Sequence, residues 1–405
     1  MPTFALDWLH LLLRWAHALA AIMWIGDSLL FMWMDSSLTP PSRPRDGAVA
    51  GELWMVHSGG FYEVVKRKAL APGEMPATLH WFKWQAYSTW ISGVFLLGVV
   101  YWFGGGIYLV DRSRSSLATG AAVAISAGAL LAGWLMYEAL WRSPLGRRPQ
   151  LAATVGFGLI VGAAYALGRV FTGHAAFLHV GAMLGTIMAA NVAMVIVPAQ
   201  RAMVAATRAG READESLGVR AKTRSTHNHY LTLPVLFTML SGHFPGTYGN
   251  PHAWLVLSLL ILFGAAVKYV MNFGARSRRR VVLAGAAALA SVIALTSRLP
   301  IGGVSAESVG AGRHVEFAEA RAILERRCVT CHARHPSNPS FLEPPAGVVF
   351  EDPRRIASLA PRILVRAVVT RTMPLGNLTG MTEEERRTLG AWIAQGARLD
   401  SAARR

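Results

Sequence analysis

The chain has 405 residues, 53% hydrophobic and only 16% charged, and its 40 Lys and Arg against 23 Asp and Glu leave a net charge of +17. A soluble globular protein carries about 25% charged residues. That deficit, with a mean hydropathy of +0.35, excludes a disordered chain and argues against a wholly soluble one. The two cysteines, Cys328 and Cys331, cannot build a disulfide scaffold.

In chain order, the apolar residues fall in long blocks. A helix needs about 20 apolar residues to cross the ~30 Å hydrocarbon layer. Eight spans are predicted, at approximately 8–34, 87–110, 116–141, 149–168, 174–197, 230–244, 253–272 and 281–299; the sixth is short and carries Pro234. The first is too long for a cleavable leader and reads as an uncleaved anchor. The predicted fold is all-α: a polytopic membrane bundle over residues 1–299. Lys and Arg stay cytoplasmic. The loops after spans 1, 3, 5 and 7 hold 19 of them, and the alternate loops hold only Arg112, Arg114 and Arg169. Both termini are therefore expected outside the cytoplasm. The same bias explains much of the positive charge, and no basic–aromatic motif calls for a nucleic-acid partner.

Residues 300–312, rich in Gly and Ser, read as a linker. Residues 313–405 are polar enough for a small soluble domain. Phe317, Ala320, Ile323 and Leu324 recur at helical spacing before Cys328-Val329-Thr330-Cys331-His332, and a last helix is predicted over 383–397 with Leu389, Trp392 and Ile393 inward. Cys-x-x-Cys-His is the c-type haem attachment sequence. Two thioethers at Cys328 and Cys331 would hold one haem c, with His332 on the iron and a thioether sulfur opposite raising its potential. Met373 is the candidate for that position and Met381 the alternative. A zinc site would need two further ligands, with only His335 near, and a thioredoxin-like pair would need a βαβ unit that is not visible. Attachment of haem c takes place outside the bacterial cytoplasm, in agreement with the charge count.

The membrane unit is rich in histidine. An imidazole inside a bilayer suggests function by default. His17 lies nine residues beyond Trp8, about 13 Å along a helix. One or more haem b groups are expected there, held as facing helices of a bundle hold haem, with His17 on one side and His179 or His243 opposite. Arg14, one turn from His17, either pairs a haem propionate or snorkels to the interface. His10, His174 and His252 read as interfacial. On the cytoplasmic side Asp27, Asp35, Glu63, Lys83, Glu138 and Asn191 join His57, His80, His227 and Asn228. The segment Trp54 to Tyr62 is too polar for a span and unusually aromatic for a loop, with Gly59-Gly60 allowing close approach of a planar ligand. Aromatic, His and Lys groups together suit a flat, anionic heterocycle.

These stretches resemble the membrane-bound bacterial urate hydroxylase (urate oxidase) family with a fused C-terminal cytochrome c domain. The likeness is carried by Leu12-Leu13-Arg14-Trp15-Ala16-His17, Trp24-Ile25-Gly26, Trp54 to Tyr62, Leu79-His80-Trp81-Phe82-Lys83-Trp84, Ala176 to Gly181, His227-Asn228, Tyr230 to Pro234, and Gly242-His243-Phe244-Pro245. The chain departs from the family pattern at Gln85, where Glu is expected, and at His229, His174 and Gly242, in place of Asn, Arg and Asn. The resemblance implies an α-helical membrane bundle with a class I cytochrome domain, in the bacterial inner membrane with that domain periplasmic. It implies a urate oxidoreductase of purine catabolism, forming 5-hydroxyisourate and passing electrons through haem to a soluble cytochrome c or terminal oxidase. His57, His80, Lys83 and His227 are then the candidate catalytic residues, with Lys83 on the urate charge and a His removing a proton. The alternative is a b/c-type electron-transfer cytochrome without its own substrate, serving another dehydrogenase or a quinol.

Overall fold

A computed structural model describes residues 3–43, 45, 47–103, 106–273, 279–297 and 314–400. It is mostly helical and builds two large hydrophobic cores, with a smaller cluster around Ala86, Val192 and Val197. Helix α1 (Thr3–Ser37) turns large apolar side chains outward, with Trp15 and Ile22 71% and 68% exposed. Its other side packs on α2 (Trp84–Leu97), below.

The expected all-α fold needs one correction. Residues between these helices form an antiparallel hairpin, β1 (Val49–His57) and β2 (Gly60–Arg67). Ser58 and Gly59, with φ of 51° and 76°, make the two-residue turn whose twist matches paired strands. Gly59 is thus required by the turn. The hairpin is tied back by Glu52, 2% exposed, which pairs with Thr39 through the backbone and accepts the Ser42 amide at 2.8 Å.

Helix α2 runs on through one wide turn, Gly98–Trp102, against α1. There follow α3 (Thr119–Arg142), α4 (Pro149–Val170), α5 (Gly173–Asn191), α6 (Val197–Arg208), α7 (Glu215–Leu240), α8 (Pro245–Tyr248), α9 (Ala253–Phe273) and α10 (Arg279–Ser297). The middle of the bundle is α5, packed on α2, α3, α4 and α7. Small residues permit this, because apolar helices gain from close backbone approach. A Cβ on Gly181 would lie 1.9 Å from Thr238 Oγ1 of α7. Between α5 and α6 the helix widens over Val192–Ile196, just before Pro198, which has no N–H for the regular ladder.

Among the described residues, six helical stretches are long and apolar enough to cross a membrane: 5–37, 119–142, 149–170, 173–208, 253–272 and 279–297. Two of the eight expected spans do not qualify on length and composition. Helix α2 is too short, and the span expected at 230–244 is the end of α7, whose first half carries Arg220, Lys222 and Arg224. Pro234 stays inside α7, its ring over Gly264 of α9.

The expected linker at 300–312 lies outside the described residues. The second unit comprises α11 (Phe317–Arg327), α12 (Val329–His332), α13 (Pro353–Ser358), α14 (Ala360–Ile363) and α15 (Glu383–Ala394). Phe317, Ala320, Ile323, Leu324, Leu389 and Trp392 are all buried in its core, with Phe317 and Trp392 rings 5.7 Å apart. Thr382 and Glu385 cap α15 reciprocally, which sets its start.

Candidate functional site

A cavity of about 1620 Å³ lies between α1, α2, α5 and α7 and is roofed by the second unit. Single ligand sites are about 300–1,000 Å³, so there is room for more than one group. His10, Arg14 and His17 of α1, His174 of α5, His243 after α7 and Met373 of the second unit line it.

His17 is held for ligation. Its Nδ1 lies 3.0 Å from Thr89 O and 3.1 Å from Ser92 Oγ, and no partner meets Nε2 among the described residues. A ring whose Nδ1–H is fixed on a carbonyl presents Nε2 as the metal ligand. Gly93 makes room for it, since a Cβ there would stand 3.0 Å from His17 Cε1. Arg14 donates from Nε to His10 Nε2 at 2.7 Å on the same wall.

On α5, the residue expected to face His17 is His179. His179 does not line the cavity. It is fully buried behind Tyr101 and Phe171, with Nδ1 2.7 Å from Ala175 O and Nε2 2.6 Å from Ser126 Oγ. Both nitrogens are spent inside the bundle. His174, read from the sequence as interfacial, lines the cavity instead, its Nδ1 3.3 Å from Tyr101 Oη. Its Nε2 sits where a Cβ on Gly242 would be, 2.7 Å away, so two of the departures from the family pattern, His174 and Gly242, are one contact.

The four candidate catalytic residues are not brought into one another's contact, and none lines the cavity. His57 is exposed at the hairpin tip, opposite Gly60. His80 is exposed in the loop before α2, and Lys83 ends that loop with Nζ 5.6 Å from the Trp84 ring. Next to His80, Trp81 shares a shallow cleft of about 510 Å³ with Arg201 and Arg208 of α6. His227 is half-buried elsewhere, its Nδ1 2.7 Å from Tyr137 Oη and its ring 4.1 Å from Trp141. Asn191 donates to both Tyr137 Oη and Asn228 Oδ1, and Asn228 reaches the cavity. Arg224 covers the Tyr137 ring and pairs with Glu138.

Sequence reasoning did not pick out Tyr137, Trp141, Arg201 and Arg208 as site residues, nor pair Asp27 with Gln85. Asp27 Oδ2 and Gln85 Oε1 are both buried with no hydrogen-bond partner among the described residues.

In the second unit Cys328 and Cys331 are free thiols flanking the turn into His332. Burial pushes the Cys328 thiol up to about 12 and holds the His332 imidazole below its ordinary value. His332 Nδ1 lies 3.0 Å from Val348 O, which again leaves Nε2 for a ligand. Met381 is 3% exposed within the core, so it packs, whereas Met373 opens on the cavity. Among the described residues no group of three or more His, Cys, Asp or Glu converges as a zinc site would require. Cys328, Cys331, His332 and Met373 are the residues that could hold a haem in the second unit, and His17 is one that could hold a haem in the membrane unit.

A family model described as urate oxidase N-terminal matches residues 3–298. No curated protein and no solved structure matches the chain. The match covers every helix around the cavity and most of the chain, and on that ground the protein belongs to the urate oxidase N-terminal family.

Proposed function

We propose that this protein is a membrane urate hydroxylase, oxidising urate to 5-hydroxyisourate in purine catabolism and passing the electrons to its C-terminal unit. The observation that carries the reading is the family match over residues 3–298. One cavity lined by both His17 and Met373 supports the electron path.

Urate plus water gives 5-hydroxyisourate, two protons and two electrons. A haem supplies one-electron acceptance, which is why room for more than one group in the cavity matters. His17 would hold haem b, with His243 or His174 across from it and Arg14 on a propionate. Cys328 and Cys331 would bind haem c covalently, with His332 and Met373 as its iron ligands. The protein's own residues bind and deprotonate. Lys83 places a cation for the urate anion, and Trp81 beside Arg201 and Arg208 offers a flat face flanked by positive charge. His80 or His57 accepts a proton as the ring is oxidised, and His227, backed by Tyr137, is the third base. The helices lie in the bacterial inner membrane among its lipids, with both termini and the haem domain periplasmic, and a soluble cytochrome c or terminal oxidase takes the electrons onward.

The test is a visible spectrum of the air-oxidised full-length protein, given urate anaerobically. Reduction of a c-type band, with a second b-type band, is the expected result. Reduction by dithionite but not by urate would sink the enzyme reading and favour an electron carrier for another dehydrogenase or a quinol.

A further inference from the structure

The second unit lines the cavity with residues 339–343, Arg366 and the loop Thr370 to Gly376, which carries Met373. This loop is fitted to the membrane unit atom by atom. Gly376 O accepts the Arg112 amide at 2.8 Å. Gly376 has φ of +53°, and a Cβ on it would stand 2.5 Å from Val110 O, so both the turn and the contact demand glycine. Arg366 donates to Tyr248 Oη at 2.9 Å, and Phe341 sets its ring edge-on to Tyr108, 6.4 Å between centroids. On the membrane side of a second contact, a Cβ on Gly249 would meet Thr370 Cβ at 2.6 Å.

The platform beneath is itself rigid. Val110 pairs with Phe171 at the α4–α5 junction, and Thr172 donates from its amide to Leu109 O and from its hydroxyl to Tyr108 O, each at 2.9 Å. Leu109 and Val110 are buried. Bonds on both sides of the seam thus hold the Met373 loop against the platform.

We infer that the Thr370–Gly376 loop is a permanent docking face for the membrane unit, across which electrons reach the second unit without its swinging away. A soluble electron acceptor must then use a different face of that unit. The conducting role rests on the haem reading of the preceding subsection; the docking does not.

The test uses full-length holoprotein in phospholipid vesicles carrying Tyr108→Cys and Phe341→Cys, treated with a short bis-maleimide, with each single variant as control. Linked peptides are measured by mass spectrometry in air-oxidised and dithionite-reduced protein. Near-complete linking in both states, with haem reduction by urate as fast linked as unlinked, is expected. Adding Gly376→Val should lower the link yield about tenfold, and Arg366→Ala with Tyr248→Phe serves if that variant does not fold. Link yields below about a tenth in either state, or linked protein whose haem reduction is slowed about tenfold, would overturn the inference. Maleimide on Cys328 or Cys331 would sink the covalent-haem reading, and urate reducing neither form would sink the urate reading. In both cases the link yield still decides the docking.

Discussion

His17 and His332, in different units, present their rings in the same way. Each holds Nδ1 on a backbone carbonyl at 3.0 Å, Thr89 O for one and Val348 O for the other, and each leaves Nε2 for a ligand. A carbonyl on Nδ1 fixes the tautomer and ring orientation before any metal arrives. His17 and Met373, the latter in the same unit as His332, line one cavity.

Replacing His17 by Leu should remove the b-type band and leave the c-type band. Urate should then no longer reduce the C-terminal haem, although dithionite still does. A b-type band of full intensity in His17→Leu would reject His17 as the ligand.

Met373→Ala should keep the haem covalently attached, lose the far-red sulfur-to-iron band and lower the midpoint potential, because a thioether ligand raises it. Met381→Leu keeps volume in a packed core and should leave both unchanged, with a stability cost under about 1.5 kcal/mol. Redox titration of the two variants separates the assignments; a reversed pattern would move the ligand to Met381.

Arg386 of α15, 5% exposed, donates to Ala367 O, to Met373 O at 2.8 Å and to Asn377 Oδ1 at 3.3 Å. It ties the backbone of the methionine loop to the last helix. Arg386→Met removes this donor from Ala367 O and Met373 O, whereas Asn377 Oδ1 still accepts the Met381 amide, at a cost of about 1–3 kcal/mol. A lower melting temperature and a weakened far-red band should appear together. Loss of stability with an unchanged band would confine Arg386 to packing.

Glu52 sets a pH limit on the hairpin. The Ser42 amide, then the Arg45 guanidinium, holds its carboxyl at about 2, below its ordinary 4.5. A depressed carboxylate stabilises the fold above the ordinary value and loses that contribution as pH falls through the folded one. Pepsin cleavage near Leu38 should therefore accelerate as pH drops from about 4.5 toward about 2, and Glu52→Gln should cleave fast throughout. Equal rates for the two proteins across that range would remove Glu52 from this role.

Tyr137→Phe deletes the hydroxyl shared by His227 and Asn191 and should cost about 1–2 kcal/mol. If His227 is a base, urate-dependent haem reduction should fall in His227→Gln by more than its change in melting temperature explains. Parallel losses in both variants would make the pair structural.

The apolar blocks, the Cys328–His332 motif and the helical spacing of Phe317, Ala320, Ile323 and Leu324 were legible because each is a local property of the chain. Hydrophobic period and ligand spacing need no partner to be read. The hairpin carried a weaker local signal, two residues at Ser58-Gly59 between β-forming runs, and the surrounding helices obscured it. Tertiary structure alone decided which histidine of α5 meets the cavity. His174 and His179 are five positions apart, about 140° around a helix, so both cannot face one side. Helix α5 is buried nearly all round, which erases the amphipathic stripe that would have shown its orientation. The seam between Gly376 and Val110 joins residues far apart in sequence, and only the packed fold brings a backbone carbonyl to a glycine that has no Cβ to obstruct it.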